Sequence, residues 1–401
     1  MVVLKIRINR RLLIAYANTR VNKLQYYLLD TVMKTHAMVT FPTVTVFSSI
    51  QGIAQSLRDA DPNLPLQVVE DEALCGYGGT VEFNPSALSE HTKSILQQAE
   101  ILISEPAVVA ALLDHDRLAL SSLKWCQSTY AGVDPLFNSS FFSSSSSTNI
   151  PWKLTRFAGC FGPPIAEWCI ARIIEHERSF TATASDQLQK SWAGSRDAVT
   201  NYRYLSSMAL TILGCGDIGR CIAKAAKAFG MKTVGYVRTI PTSSNNDDKT
   251  VAEVTGVDEY TTDLTKALQS GDYIVSVLPS TSETRGLLSN GVLEAASTEK
   301  GGLSPVFINV GRGDVIDEKS LLEALNKKYI SGAILDVFVE EPLPTNSELW
   351  SRSDVIVSPH VSGLTQASDV PKVFLSNYRR YVENDCSTSE LNFLVDWKKG
   401  Y

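Results

Sequence analysis

The sequence has no uninterrupted apolar run of the roughly 18 residues that a membrane-spanning helix requires. A helical membrane protein is therefore not expected. Basic residues are outnumbered, 37 Lys and Arg against 43 Asp and Glu for a formal charge of −6, so the clustered basic face of a nucleic-acid binder is missing. The seven cysteines, Cys75, Cys126, Cys160, Cys169, Cys215, Cys221 and Cys386, are scattered and include no CxxC pair, which argues against a disulfide framework and structural zinc. No metal is expected, and the thiols read as small, reduced, mostly buried residues. What remains, 44% hydrophobic and 20% charged over 401 residues, is the composition of a globular chain long enough for two domains. A cytoplasmic enzyme or binding protein is the expected class.

The first 38 residues carry Lys5, Arg7, Arg10, Arg11, Arg20, Lys23 and Lys34 against one acid, Asp30. That composition fits a mitochondrial transit peptide. It equally fits an extension ahead of a start at Met38, and both readings stay open.

From Pro42 short β-branched runs alternate with helical stretches. PTVTVF is followed by a helix over Gln51 to Ala60, then LQVVE, with further strands predicted at Ile101 to Ile103 and Leu123 to Ser128. Such alternation implies parallel βαβ units. The block closes in the serine run Ser143 to Ser147, read as a flexible surface insertion. A long helix is predicted from Pro164 to Phe180, proline suiting its first turn. Six strands are then predicted at Leu210 to Leu213, Thr233 to Tyr236, Tyr273 to Val277, Val306 to Val310, Gly332 to Leu335 and Val355 to Val357. Six make a complete doubly wound nucleotide-binding sheet.

Between the first of these strands and the next helix lies Gly214-Cys215-Gly216-Asp217-Ile218-Gly219. In that context the glycines have separate tasks. Gly214 permits the tight turn, Gly216 admits a pyrophosphate to the backbone, and Gly219 lets helix and strand pack closely. The helix N-terminus supplies N–H groups to the phosphates. Asp217 is a departure, an acid in a phosphate-cradling turn. An acid that would hold the ribose 2'-hydroxyl is expected about 20 residues further on. Val237 stands there instead, and Arg238 follows, 19 residues after Gly219. An arginine suits a 2'-phosphate, with Thr239 and Ser243 as hydroxyl donors. NADP(H) is thus the preferred cofactor and NAD(H) the second; an ordinary exposed loop arginine is the alternative.

Three motifs follow at predicted strand ends: Asn309-Val310-Gly311-Arg312-Gly313, Asp336 through Glu340-Glu341-Pro342, and Pro359-His360-Val361-Ser362-Gly363. With the glycine fingerprint before them, they give a sequence that resembles the D-2-hydroxyacid dehydrogenase family over about residues 40 to 385. STYAGVD, FGPPIAEW and the Val237-Arg238 pair are most similar to its glyoxylate and hydroxypyruvate reductases.

The resemblance implies an α/β protein of two Rossmann-like doubly wound parallel-sheet domains, with the active site in the cleft between them. Residues 41–155 and 364–401 would form the substrate-binding domain and 156–363 the NAD(P)-binding domain, behind an extension at 1–40. It implies that Arg312 binds the carboxylate and keto oxygen of a small 2-keto acid, that His360 is the acid/base, and that Glu341 is its partner. The family's spacing of five from Asp336 selects Glu341 over Glu340. It places Asp336 beside the nicotinamide and adds Pro279, Val310, Ser362 and Gly363 to the cofactor contacts, and it assigns Glu105, Ala131 and Gly132 to substrate loops. A homodimer through the long helix is implied as well. On the same fold, the family's corepressors offer a second reading, an NAD(P)H-sensing binding protein.

Overall fold

The structure is a computed structural model that describes residues 41–76, 81–144, 150–192, 194–241, 250–297 and 304–397. The predicted extension at 1–40, serines 145–147 of the serine run, and Ser243 lie outside the described residues. The described chain divides into two compact units. One holds 41–75, 82–157 and 366–397, the other 158–365 with Gly76 and Val81.

The first unit is built on five parallel strands, β1 (Val44–Val46), β2 (Leu66–Val68), β3 (Ile101–Ser104), β4 (Trp125–Ser128) and β5 (Lys153–Thr155), in the order β2-β1-β3-β4-β5. Every position of β1, β3 and β4 is buried, the signature of a parallel sheet covered on both faces. The C-terminal helix Val370–Glu383 supplies part of that cover: Phe374 stacks on Trp125 with ring centroids 5.1 Å apart. Trp125 is wholly buried, and its Nε1 donates to Thr155 Oγ1 at 2.8 Å, so the indole loses no hydrogen bond on burial. Strand β5, absent from the sequence reading, is three residues long with an exposed lysine at its start, too short for a period to show.

The second unit carries seven parallel strands: β6 (Ala209–Leu213), β7 (Lys232–Tyr236), β8 (Glu259–Thr261), β9 (Tyr273–Ser276), β10 (Val306–Asn309), β11 (Gly332–Leu335) and β12 (Val355–Val357). Their order is β8-β7-β6-β9-β10-β11-β12. Six strands were expected, and β8 is the seventh. It is an edge strand of sequence Glu-Tyr-Thr in which only Thr261 is buried, so no apolar run announces it. The long helix spans Gly162–Glu177 rather than Pro164 to Phe180. It stops where Ser179 turns to φ 49°, and a separate helix, Phe180–Gln189, begins. Ile165, Ala166, Cys169, Ile170 and Ile173 form its buried face, and it packs on the helix Asp217–Ala228. The approach is close: a Cβ on Gly162 would lie 2.4 Å from Cys221 Sγ. Among the described residues, no helix is long and apolar enough to cross a membrane.

Candidate active site

All strands of the seven-stranded sheet run the same way, so their C-terminal ends share one edge. Chain order reverses at the β6/β9 pair, and loops that diverge there leave a crevice for a ligand. The glycine turn follows β6, Arg238 and Thr239 follow β7, and Pro279 follows β9. Val310 and Arg312 follow β10, Asp336 and Glu341 follow β11, and His360, Ser362 and Gly363 follow β12. One end of the sheet therefore gathers the described residues predicted for this unit.

The glycine turn fits a dinucleotide on its own geometry. Gly214 has φ 99°, a conformation that side chains other than glycine's rarely adopt. A Cβ on Gly219 would meet Gly214 O at 2.1 Å, so the helix could not close on the turn. At Gly216, by contrast, a Cβ would find nothing within 4 Å, and this open position faces no packing constraint. Gly216 is also the N-cap of Asp217–Ala228 with no side-chain cap, which leaves the first-turn N–H groups for an anion. Asp217 is exposed and Ile218 half-buried. Arg238 is exposed, and its Nη1 lies 2.8 Å from Glu283 Oε2.

The loop after β10 is locked by Asn309, which is almost fully buried. Its Oδ1 accepts from Gly311 N at 3.2 Å and its Nδ2 donates to Arg312 O at 3.0 Å, so one side chain closes the turn that presents Arg312. The Arg312 side chain donates through Nη1 to Gly311 O at 2.8 Å. A Cβ on the next residue, Gly313, would come 1.9 Å from Phe338 C. This contact ties the arginine loop to the loop that bears Glu341.

Glu341 bridges to the last motif. Its Oε1 accepts from Phe338 N at 2.9 Å, and its Oε2 lies 2.8 Å from His360 Nδ1. Burial alone would raise the Glu341 pKa. The hydrogen bond and charge of His360, the Phe338 N–H and the nearby Arg312 charge outweigh burial and hold it below the ordinary carboxylate value. His360 sits at φ 53°, an uncommon conformation for a residue with a Cβ. Asp336 holds it there. His360 N donates to Asp336 O at 2.9 Å, while the wholly buried Asp336 carboxylate accepts from Ser358 Oγ at 2.6 Å, Val361 N at 3.0 Å and Ser362 N at 2.8 Å. The family resemblance implies a place for Asp336 beside the nicotinamide. The structure adds that its carboxylate is committed to the histidine loop.

The remaining predicted residues belong to the first unit. Glu105 is wholly buried at the end of β3, where Oε1 accepts from Ser48 Oγ, Ser49 N and Ser49 Oγ at 2.8 to 3.0 Å. Its Oε2 has no partner among the described residues. Burial raises its pKa despite those hydrogen bonds. Ala131 and Gly132 are half-buried in the loop after β4. Sequence reasoning passed over Asn309 and Ser358 as supports and Glu283 as the neighbour of Arg238. A polar side chain closing a strand-end turn was a usable signal for Asn309; a pairing across 45 residues left none for Glu283.

A family model described as "D-isomer specific 2-hydroxyacid dehydrogenase, NAD binding domain" matches residues 170–362. Glyoxylate/hydroxypyruvate reductase A of Photorhabdus laumondii subsp. laumondii is 30% identical over 240 residues, covering 60% of this chain and 69% of that one. Glyoxylate/hydroxypyruvate reductase B of an Enterobacter species is 29% identical over 288 residues, covering 70% and 80%. Among solved structures, a D-isomer specific 2-hydroxyacid dehydrogenase family protein from Aeromonas salmonicida subsp. salmonicida superposes with a TM-score of 0.69 at 30% identity, covering 89% of this chain and 100% of that one.

Proposed function

The chain belongs to the D-isomer specific 2-hydroxyacid dehydrogenase family, and from that premise we propose that it reduces a small 2-keto acid of the glyoxylate or hydroxypyruvate kind to the D-2-hydroxy acid, with NADPH preferred over NADH. The observation that carries the reading is the 2.8 Å His360–Glu341 pair on the sheet edge that also bears Arg312 and the glycine turn. Such pairs at a ligand-binding edge are the equipment of acid/base chemistry.

When bound, the reduced nicotinamide supplies the hydride. The chain's own residues do the rest. Gly214, Gly216, Asp217, Ile218 and Gly219 are proposed to cradle the pyrophosphate, with Arg238 and Thr239 at the ribose and Pro279, Val310, Asp336, Ser362 and Gly363 along the remainder. Arg312 would fix the substrate carboxylate with its planar fork and stabilise charge growing on the keto oxygen. With Nδ1 occupied by Glu341, His360 has Nε2 left to deliver the proton to that oxygen. Glu105, Ala131 and Gly132 are proposed as substrate-loop residues on the family resemblance. A panel of glyoxylate, hydroxypyruvate and pyruvate, each with NADPH and with NADH, tests the assignment: reduction of none of them would refute it.

Arg238→Ala should weaken use of NADPH more than NADH, by on the order of 1 to 3 kcal/mol, the worth of a charge-assisted hydrogen bond. Equal losses with both cofactors would show that Arg238 does not read the phosphate. Assembly gives a separate expectation, a homodimer. It is supported by the helix Phe180–Gln189, which buries none of its residues and leaves Phe180 and Leu188 exposed beside a fully exposed Trp192. Sedimentation of a fully active 43.9 kDa monomer at micromolar concentration would overturn it.

A further inference from the structure

Where an acid should follow β7, Val237 and Arg238 stand instead, yet a carboxylate lies beside Arg238. Glu283, carried by the loop after β9, puts Oε2 2.8 Å from Arg238 Nη1. Its strand, β9, and the arginine's strand, β7, are the two neighbours of β6. Arg238 and Glu283 therefore reach toward each other from the two sides of the strand that leads into the glycine turn. The position of Glu283 is fixed locally, since Thr281 N donates to Thr284 Oγ1 at 2.9 Å and Glu283 N to Thr281 Oγ1 at 3.3 Å.

This ion pair is not a stability device. The two side chains are 73% and 63% exposed, and pairs so immersed in water contribute little to folding. It does bear on what Arg238 can bind. A 2'-phosphate must share or take over a guanidinium that already has a carboxylate beside it, and at that range two anions repel. A 2'-hydroxyl meets no such conflict, and a carboxylate accepts its hydrogen bond as an acid at the end of β7 would.

We infer that Glu283 is a specificity-determining residue that restores, from the neighbouring loop, the acid missing after β7: it holds Arg238 in place, weakens the grip on a 2'-phosphate and keeps the unphosphorylated cofactor usable. This rests on the proposed role of Arg238. It adds that the preference for NADPH is deliberately moderate, and that it is set by two opposed charges rather than one.

The test is calorimetric titration of the full chain with 2'-phospho-ADP-ribose and with ADP-ribose, which separates recognition from turnover. Glu283→Gln should tighten the phosphorylated ligand about three- to tenfold and weaken ADP-ribose about twofold, with the first effect shrinking as salt screens the charges. Arg238→Ala should weaken only the phosphorylated ligand. If Glu283→Gln leaves the ratio of the two Kd values unchanged while Arg238→Ala collapses it, Arg238 reads the phosphate and the inference about Glu283 is wrong. If Arg238→Ala leaves the ratio unchanged, the reading of Arg238 fails and Glu283 falls with it.

Discussion

Replacing His360 with glutamine should lower turnover on the best 2-keto acid by roughly 100- to 10,000-fold, the range a positioned general acid contributes. Binding of NADPH should stay near the parental value, because the glycine turn follows β6 and His360 follows β12, four places along the sheet order. Glutamine retains a hydrogen-bonding group of similar reach and cannot release a proton near neutral pH. The loss therefore reports on proton delivery rather than on packing. The backbone at φ 53° is held by three hydrogen bonds to the Asp336 carboxylate from Ser358, Val361 and Ser362, none of which involves the imidazole, so the loop should keep its shape. If His360→Gln turns over at a near-parental rate, another group is the proton donor.

Glu341 sets the acid limit of this pair. Its pKa lies below the ordinary carboxylate value, so it is ionised, and its pairing with His360 is intact, at and above the pH where a free carboxylate would ionise. The contribution is lost only as pH falls through the lowered folded value. Glu341→Gln removes the carboxylate at every pH. That variant should remain active, with keto-acid reduction changed in its pH profile more than in its maximum.

How much of this was legible beforehand follows from which interactions are local in the chain. Strands β6, β9, β10 and β11 are apolar nearly end to end because both faces of a parallel sheet are covered, and such runs stand out in a sequence. Edge strand β8 and the three-residue β5 carry mixed sequences that only neighbouring strands make into sheet. The same division holds at the site. Gly214 and Gly219 declare themselves because the conformation and the close approach they permit are demanded by a turn of a few residues. Gly313 faces Phe338, 25 residues on, and Asp336 grips Ser362 across 26, distances over which spacing alone says nothing. A residue type can suggest chemistry, as Arg312 and His360 do in their motifs. What holds that residue in place is long-range and appears only when the chain is folded.

Arg312→Ala should affect both kinetic constants, because its guanidinium is proposed to act on the bound acid and on the transition state alike. Losing the carboxylate's partner raises KM, and losing the charge that faces the developing alkoxide lowers kcat by about 100-fold, the scale of one well-placed oxyanion donor. The two effects should not be shared by His360→Gln, which spares substrate binding. Arg312→Lys should recover part of the loss and not all of it. A lysine restores one positive charge, but as a point charge without the planar fork that meets a carboxylate and a keto oxygen together. The loop itself should survive both changes, since Asn309 closes it through the backbone of Gly311 and Arg312 rather than through the arginine side chain. Unchanged melting temperatures in both variants would secure that point. A parental KM for the keto acid in Arg312→Ala, at any value of kcat, would remove Arg312 from substrate binding and leave the carboxylate to be held by other groups.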